Sequence, residues 1–328
     1  MGGPAPDALM PWPEMSPGSC RGASENALCP FDGIIRVMIT DARLLTTLTL
    51  DGTDMLVSAD TGTVRVTDPR TGRPVSEAAI GGITAIVACP TGWRDPVIAV
   101  GADSGLYWVE ARTGTVRHEE GGIAAMSAWA GTLLAAAGHA PGTLLRWDAG
   151  TGARLEPLGS HQEPITAVTV LHGPVVCTGD RTGTIQRWNP RTGARTAPAL
   201  TVGDEAVLAL APAPLPDGRL LIAAATADLH RWDAVTGEPV GVPVVVDSTA
   251  VTTLTATVVN GRTELITAGH DEVVRRWDAE TGLPVGEAVP GRSATVLRRH
   301  GVLTLAVGTL DGRLDLRSLG QPHPDRRI

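Results

Sequence analysis

Six Thr-Gly dipeptides fall at nearly even spacing along this chain, with glycines at Gly72, Gly114, Gly152, Gly193, Gly237 and Gly282, 38 to 45 residues apart. Each follows a short apolar run that ends in Trp-Asp or a degraded version of it. Around the fourth copy, PITAVTV (164–170), PVVCT (174–178) and TIQRW (184–188) are β-branched, alternating runs separated by Gly, Asn, Asp and Pro. That is the pattern of short antiparallel hairpins. No stretch carries helical periodicity long enough to compete. A period of about 40–45 residues with four strands per unit predicts β-propeller blades.

The third strand of each unit can be counted separately. It ends at Thr67, Val109, Trp147, Trp188, Trp232, Trp277 and Arg317, which makes seven copies. The seventh lacks a fourth strand, because GQPHPDRRI follows it directly. GIIRVMIT (33–40) stands unpaired ahead of the first inner strand, LLTTLTL (44–50), and can supply the missing one. The expected fold is therefore all-β: a seven-bladed propeller of four-stranded antiparallel blades, its N-terminal strand closing the last blade. Closure of this kind leaves only short, protected edges. The expected organisation is a flexible extension over 1–33, the propeller over 34–318 and a tail over 319–328.

LLRWDAGTG (144–152), LHRWDAVTG (229–237) and VRRWDAETG (274–282) resemble the repeats of WD-repeat proteins, in particular the Ala-, Arg- and Gly-rich bacterial, actinobacterial type. The resemblance covers about residues 34–318. It implies a buried tetrad of His, Ser/Thr, Asp and Trp in each blade. Only the fourth blade offers most of one, His161, Thr178 and Trp188, with Asp180 near the acidic position but displaced from the usual spacing. The sixth has Asp271 ahead of Trp277 without a His, and Thr67, Val109 and Arg317 stand where Trp is expected. Apolar packing between blades is then the main expected cement.

Formal charge is −8, which disfavours phosphate-backbone binding and hence a nucleic-acid partner. All 27 basic residues are Arg, so no lysine is available for a Schiff base or acetylation. No apolar run approaches a bilayer span, and residues 1–33 lack the order of a signal peptide. A cytoplasmic, monomeric protein without membrane association is expected. Cys89 and Cys177 fall on inner-strand positions and read as small core residues. Cys20 and Cys29, nine apart, are few for a metal site and would need an oxidising compartment to pair.

Trp147, Trp188, Trp232 and Trp277 occupy equivalent positions and read as packing between sheets rather than as a ligand cage. Trp12, Trp93 and Trp129 lie outside that register, and Trp93 is a candidate contact residue. Tyr107 reads as core. The arginines that precede the four Trp, Arg146, Arg187, Arg231 and Arg276, could form a positive arc, or could pair with acids of neighbouring blades. The turns between second and third strands carry Asp60, Asp103, His139, Asp180, His270, Asp271 and Asp311. On one rim these seven could receive a cation or a basic partner segment, although local turn capping also explains aspartates there.

Linear signatures of catalysis, including G-x-S-x-G, P-loop, H-E-x-x-H and C-x-x-C, are absent. The expectation is a non-enzymatic scaffold, without cofactor, that binds another protein or a peptide, with a basic segment as one candidate. Two alternatives stand beside it. One is an enzyme or small-molecule binder at the channel mouth. The other is a sensor module that works with a separate signalling or defence NTPase.

Overall fold

The computed structural model describes residues 35–38, 44–89, 96–129, 131–137, 142–171, 175–246, 250–310 and 313–319. The extension expected over 1–33, the tail from 320 onward and Trp93 lie outside those residues.

Seven four-stranded antiparallel sheets follow one another along the chain. Blades 1 to 6 span residues 44–79, 83–120, 123–160, 165–201, 209–245 and 251–290. Blade 7 takes three strands from 293–318 and its fourth from Ile35–Met38, which pairs with Arg313–Ser318 in the register Ile35↔Leu316 to Met38↔Arg313. The ring thus closes by strand pairing, as the leftover segment ahead of blade 1 predicts. The first strands of neighbouring blades lie against one another and line the central channel.

The Thr-Gly repeat has a local cause. In all six copies the glycine has φ between 70° and 76°, a left-handed conformation that side chains resist. Its N–H donates to the carbonyl of the residue four earlier, as from Gly152 to Asp148 (2.7 Å) and from Gly282 to Asp278 (2.8 Å). The Asp of Trp-Asp caps the same turn. Asp148, Asp233 and Asp278 each accept the N–H of the following Thr, at Thr151, Thr236 and Thr281. Asn189 does the same for Thr192 in blade 4. The repeat therefore encodes the turn between third and fourth strands.

The core is distributed over the seams. Seven buried apolar clusters form, one at each contact between consecutive blades. Trp147, Trp188, Trp232 and Trp277 each pack against the preceding blade. Val109 takes that place at the seam of blades 1 and 2. Among the described residues, the closing seam between blades 7 and 1 has the smallest cluster: Leu56, Leu297, Ala306, Leu314 and Leu316, with Leu45 beside it. Thr67 stands there at the Trp position, paired with Leu56, and brings no large side chain. Cys89 ends the first strand of blade 2, whereas Cys177 lies on the second strand of blade 4. Both thiols are buried, and burial pushes them up to about 12.

Candidate functional site

Repetition of one strand order gives the ring two distinct faces. Turns between second and third strands share one face with the connections that lead into the next blade. Backbone bonds tie the two loop sets together, as in Val202 N–H to Gly183 (3.0 Å), Val207 N–H to Asp180 (3.0 Å) and Gly291 N–H to Glu272 (2.8 Å). This is called the upper face. The lower face carries the turns between first and second and between third and fourth strands, joined by bonds such as Ala149 N–H to Gly131 (2.7 Å).

Of the seven turn residues singled out from the sequence, His139 and Asp311 lie outside the described residues. The other five share the upper face but are held differently. Asp60 accepts the N–H groups of Gly62 and Thr63, both at 2.7 Å. Asp180 is buried and accepts from the N–H groups of Thr182 and Thr184 and from the Thr182 hydroxyl, each at 2.9 Å. Asp271 forms an ion pair with Arg275 four residues on. Asp103 and His270 are exposed. Turn capping therefore occupies Asp60 and Asp180, and Asp103 and His270 are the members most open to solvent.

The same face carries acids that the turn-by-turn reading passed over. Glu120, at the end of the fourth strand of blade 2, and Glu163, Asp204 and Glu205, on the connections into blades 4 and 5, are exposed. Their signal is positional: each ends or follows a fourth strand and precedes a first strand, in EEGG, HQEP and VGDEAV. On the turns beside them are Asp228, half-buried, and Glu272, which is bonded to Arg292 at 2.7 Å.

Blade 4 holds the most developed polar network. Trp188 Nε1–H donates to Thr178 Oγ1 (2.7 Å), Thr178 Oγ1 is 2.6 Å from His161 Nε2, and His161 Nδ1 is 2.8 Å from Asp180 Oδ2. One proton order satisfies the chain: indole to hydroxyl, hydroxyl to imidazole, imidazole to carboxylate. Burial lowers the His161 pKa against the opposing pull of Asp180, which keeps the ring neutral as that order requires. Burial would raise the Asp180 carboxyl, but donation from His161, Thr184 and Thr182 outweighs it and leaves the group below its ordinary value. Asp180 thus completes the tetrad despite its displaced spacing. Blade 6 keeps only the first link, Trp277 Nε1–H to Thr267 Oγ1 at 2.9 Å. In blade 3, Trp147 instead donates to Glu119 of blade 2 at 2.8 Å.

The four arginines form no solvent-facing arc, and three of them bond to carbonyl oxygens rather than to acids of the next blade. Arg146 reaches the Pro190 carbonyl of blade 4 (2.8 Å), and Arg187 the Ala234 carbonyl of blade 5 (2.9 Å). Arg231 reaches the Ala279 and Glu280 carbonyls of blade 6 (3.3 and 3.1 Å). Each also holds its own outer segment, through the carbonyls of Glu156, Pro198 and Val242. In blades 4 and 5 the outer strand is reduced to Leu200–Thr201 and Val244–Val245. The chain before each pair leaves its carbonyl free for the guanidinium. Arg187 and Arg231 are 3% and 4% exposed. Arg276 has no equivalent turn ahead of it, because the fourth strand of blade 7 comes from the other end of the chain. It pairs with Glu264 of its own blade at 2.7 Å.

Tyr107 is half-buried, stacks on His118 with ring centroids 4.3 Å apart, and its hydroxyl is 2.9 Å from Ser104 Oγ. Trp108, buried at 3% exposure, takes in blade 2 the place that arginine holds in blades 3 to 6. Among the described residues, no group of three or more His, Cys, Asp and Glu is placed to hold a metal ion.

No family model matches the chain, and no curated protein matches it. The fold does match solved structures. One is the computationally designed Ika8 protein, 20% identical, covering 86% of this chain and 98% of that one with a TM-score of 0.59.

Proposed function

We propose that this propeller is a non-enzymatic scaffold whose upper face binds a basic segment of another protein or peptide. The observation that carries the reading is charge distribution on that face. Asp103, Glu120, Glu163, Asp204 and Glu205 are exposed on that face in blades 2 to 5 against one exposed arginine there, Arg181, whereas Arg275 and Arg292, the basic groups of blade 6 and its connection to blade 7, are bound to Asp271 and Glu272. Loops on a rigid frame are where binding sites concentrate, and a surface with an excess of one sign steers an oppositely charged partner toward it. The WD-repeat-like strings support the same role by resemblance. A cytoplasmic, monomeric protein acting without cofactor is part of this proposal.

The test is peptide display against the immobilised protein. Enriched peptides should be rich in Arg and Lys. Their binding should weaken as salt rises through about 0.15 M, where the screening length is about 8 Å, chiefly by slower association. Replacement of Asp103, Glu163, Asp204 and Glu205 by their amides should abolish it. The lower-face set Arg112→Gln, Arg191→Gln and Glu280→Gln should spare it. Binding lost in the lower-face set and kept in the upper-face set would overturn the assignment.

A further inference from the structure

On the lower face, at the end of the channel wall, the first strands of blades 6, 7 and 1 enclose a cleft of about 500 Å3. Five threonines line it: Thr46, Thr47, Thr255, Thr257 and Thr295. None of their hydroxyls has a hydrogen-bond partner among the described residues. Elsewhere on the first strands Thr169 and Thr253 likewise have no side-chain partner among the described residues, but other hydroxyls are used for stitching. Thr84 donates to the Ile123 carbonyl (2.6 Å) and Thr166 to the Val207 carbonyl (2.5 Å), each reaching the next blade, and Thr252 bonds to Ala268 (3.5 Å) within its own. The lower hydroxyls are spare; Thr255 and Thr257 share one face of their strand, whereas the adjacent Thr46 and Thr47 point to opposite faces of theirs.

Arg298 stands at the rim of the same cleft. Its backbone N–H is fixed by Asp54 Oδ2 at 3.0 Å across the closing seam, while Asp54 Oδ1 accepts from Thr49 at 2.9 Å. Both oxygens of that carboxylate are therefore engaged. The Arg298 guanidinium is exposed and has no partner among the described residues. A second cleft, of about 380 Å3, adjoins the first through Asp54 and Arg298 and continues past Arg70 and His300. Arg70 is already tied to Asp68 at 3.0 Å, and Arg299 to the Pro69 carbonyl at 3.1 Å. Arg298 is the uncommitted cation between the two spaces.

We infer that this cleft is a binding site for a small polyhydroxylated anion, a sugar acid or a sugar phosphate. A guanidinium presents paired donors that match the oxygens of a carboxylate or a phosphate. A threonine hydroxyl both donates and accepts, so those that face the cleft can follow a polyol whichever way its hydroxyls point. The larger volume lies within the about 300–1,000 Å3 range usual for small ligands. The site is on the face opposite the acidic loops, so the two can be occupied independently.

Calorimetric titration of the full chain with glucuronate, glucose 6-phosphate, glucose and inorganic phosphate tests this. At least one charged sugar should bind, and whichever does so identifies the preferred anion. Arg298→Gln should weaken that binding about tenfold or more, the usual loss for one charge-assisted hydrogen bond. The double change Thr255→Val and Thr295→Val should weaken it severalfold. Melting points recorded alongside show whether each variant is folded, and Arg298→Gln, at an exposed side chain, keeps the test open if the valine variant is not. Three results would overturn the inference: no charged sugar binds, Arg298→Gln binds as tightly as the parent, or glucose and inorganic phosphate each match the sugar phosphate.

Discussion

The imidazole of His161 is 2.8 Å from the Asp180 carboxylate on one side and 2.6 Å from the Thr178 hydroxyl on the other, in the interior of blade 4. Its first neighbour needs a donor and its second an acceptor, so the neutral ring with a proton on Nδ1 satisfies both. A second proton on Nε2 would face a hydroxyl whose own proton already points at it. Burial, which disfavours the charged ring, independently lowers the His161 pKa against the pull of Asp180.

Stability should therefore fall with acid earlier than carboxylate titration alone would cause. The unfolded chain takes up a proton at His161 near pH 6.5, while the folded chain resists until lower pH. The stabilisation is complete above about pH 6.5 and is lost as pH falls toward the folded pKa. His230, also lowered by burial, adds a contribution of the same sign. Denaturant midpoints should drop between pH 7 and about pH 5, by no more than about 1.4 kcal/mol per pH unit for each histidine. His161→Asn should flatten that slope without removing it. A variant as acid-sensitive as the parent would show that the ring is not held neutral.

Trp188 packs into the seam of blades 3 and 4, and its ring presses on Gly159, where a Cβ would come within 2.6 Å of it. Trp188→Ala should cost about 3–5 kcal/mol, the usual range for a buried aromatic. Thr178→Val keeps the volume but strands Trp188 Nε1 and His161 Nε2, and should cost about 1–3 kcal/mol. Leu283→Ala, at a side chain 64% exposed, should cost less than about 0.5 kcal/mol. Chemical denaturation of the three variants gives the order directly, and a reversal would mean that the seam is not where the stability lies.

The closing seam has the smallest apolar cluster among the described residues, and blade 7 depends on a strand from the other end of the chain. A chain that begins at residue 34 keeps Ile35–Met38, and one that begins at residue 41 lacks it. The shorter chain should melt several degrees lower, since a loss of about 1 kcal/mol moves the midpoint of a domain this large by about 2 °C or more. It should also expose the outer edge of Arg313–Ser318 and aggregate sooner. Equal melting and equal aggregation of the two chains would contradict closure by this strand.

The architecture could be read from the chain because each repeat writes its own turn. Trp-Asp-x-x-Thr-Gly places the cap, the left-handed glycine and the packing residue within six positions, so counting those strings counted third strands. Where the string degrades, as at Thr67 and Arg317, strand pairing still places the residue opposite Leu56 or Leu305, as it places Trp147 opposite Leu133. Side-chain destinations were less readable, because they depend on the neighbouring blade. Nothing near Arg187 in the sequence points to the Ala234 carbonyl, 47 residues away. The same holds for the lower cleft. Thr46, Thr255 and Thr295 meet only because the ring closes, and no local pattern separates them from Thr84 or Thr166. The upper rim is half legible: the repeat marks its turns, but Glu163, Asp204 and Glu205 lie on connections outside the repeated string, where no periodic signal points to them.

Arg231 and Arg276 make a controlled comparison of what the repeated arginine does. Both precede a seam tryptophan, and both sit on third strands in the same register relative to it. Arg231 is 4% exposed and donates to three carbonyls, two of them in blade 6. Burial lowers its pKa against the pull of Asp278, so its charge is retained at a cost that those carbonyls must offset. Arg276 is only half-buried and rests on Glu264 within its own blade. Arg231→Met removes a cation and leaves the Ala279, Glu280 and Val242 carbonyls without that donor. It should cost about 3 kcal/mol, the upper end for charge-assisted bonds, the three being far from additive. Arg231→Lys should recover little, because an ammonium cannot span both blades as the planar fork does. Arg276→Met strands one carboxylate and should cost less, with amide exchange loosened inside blade 6 rather than across its boundary with blade 5. Hydrogen exchange on the two variants distinguishes the cases. Equal losses of stability, with exchange confined to one blade in both, would mean that the arginines do not clasp one blade to the next.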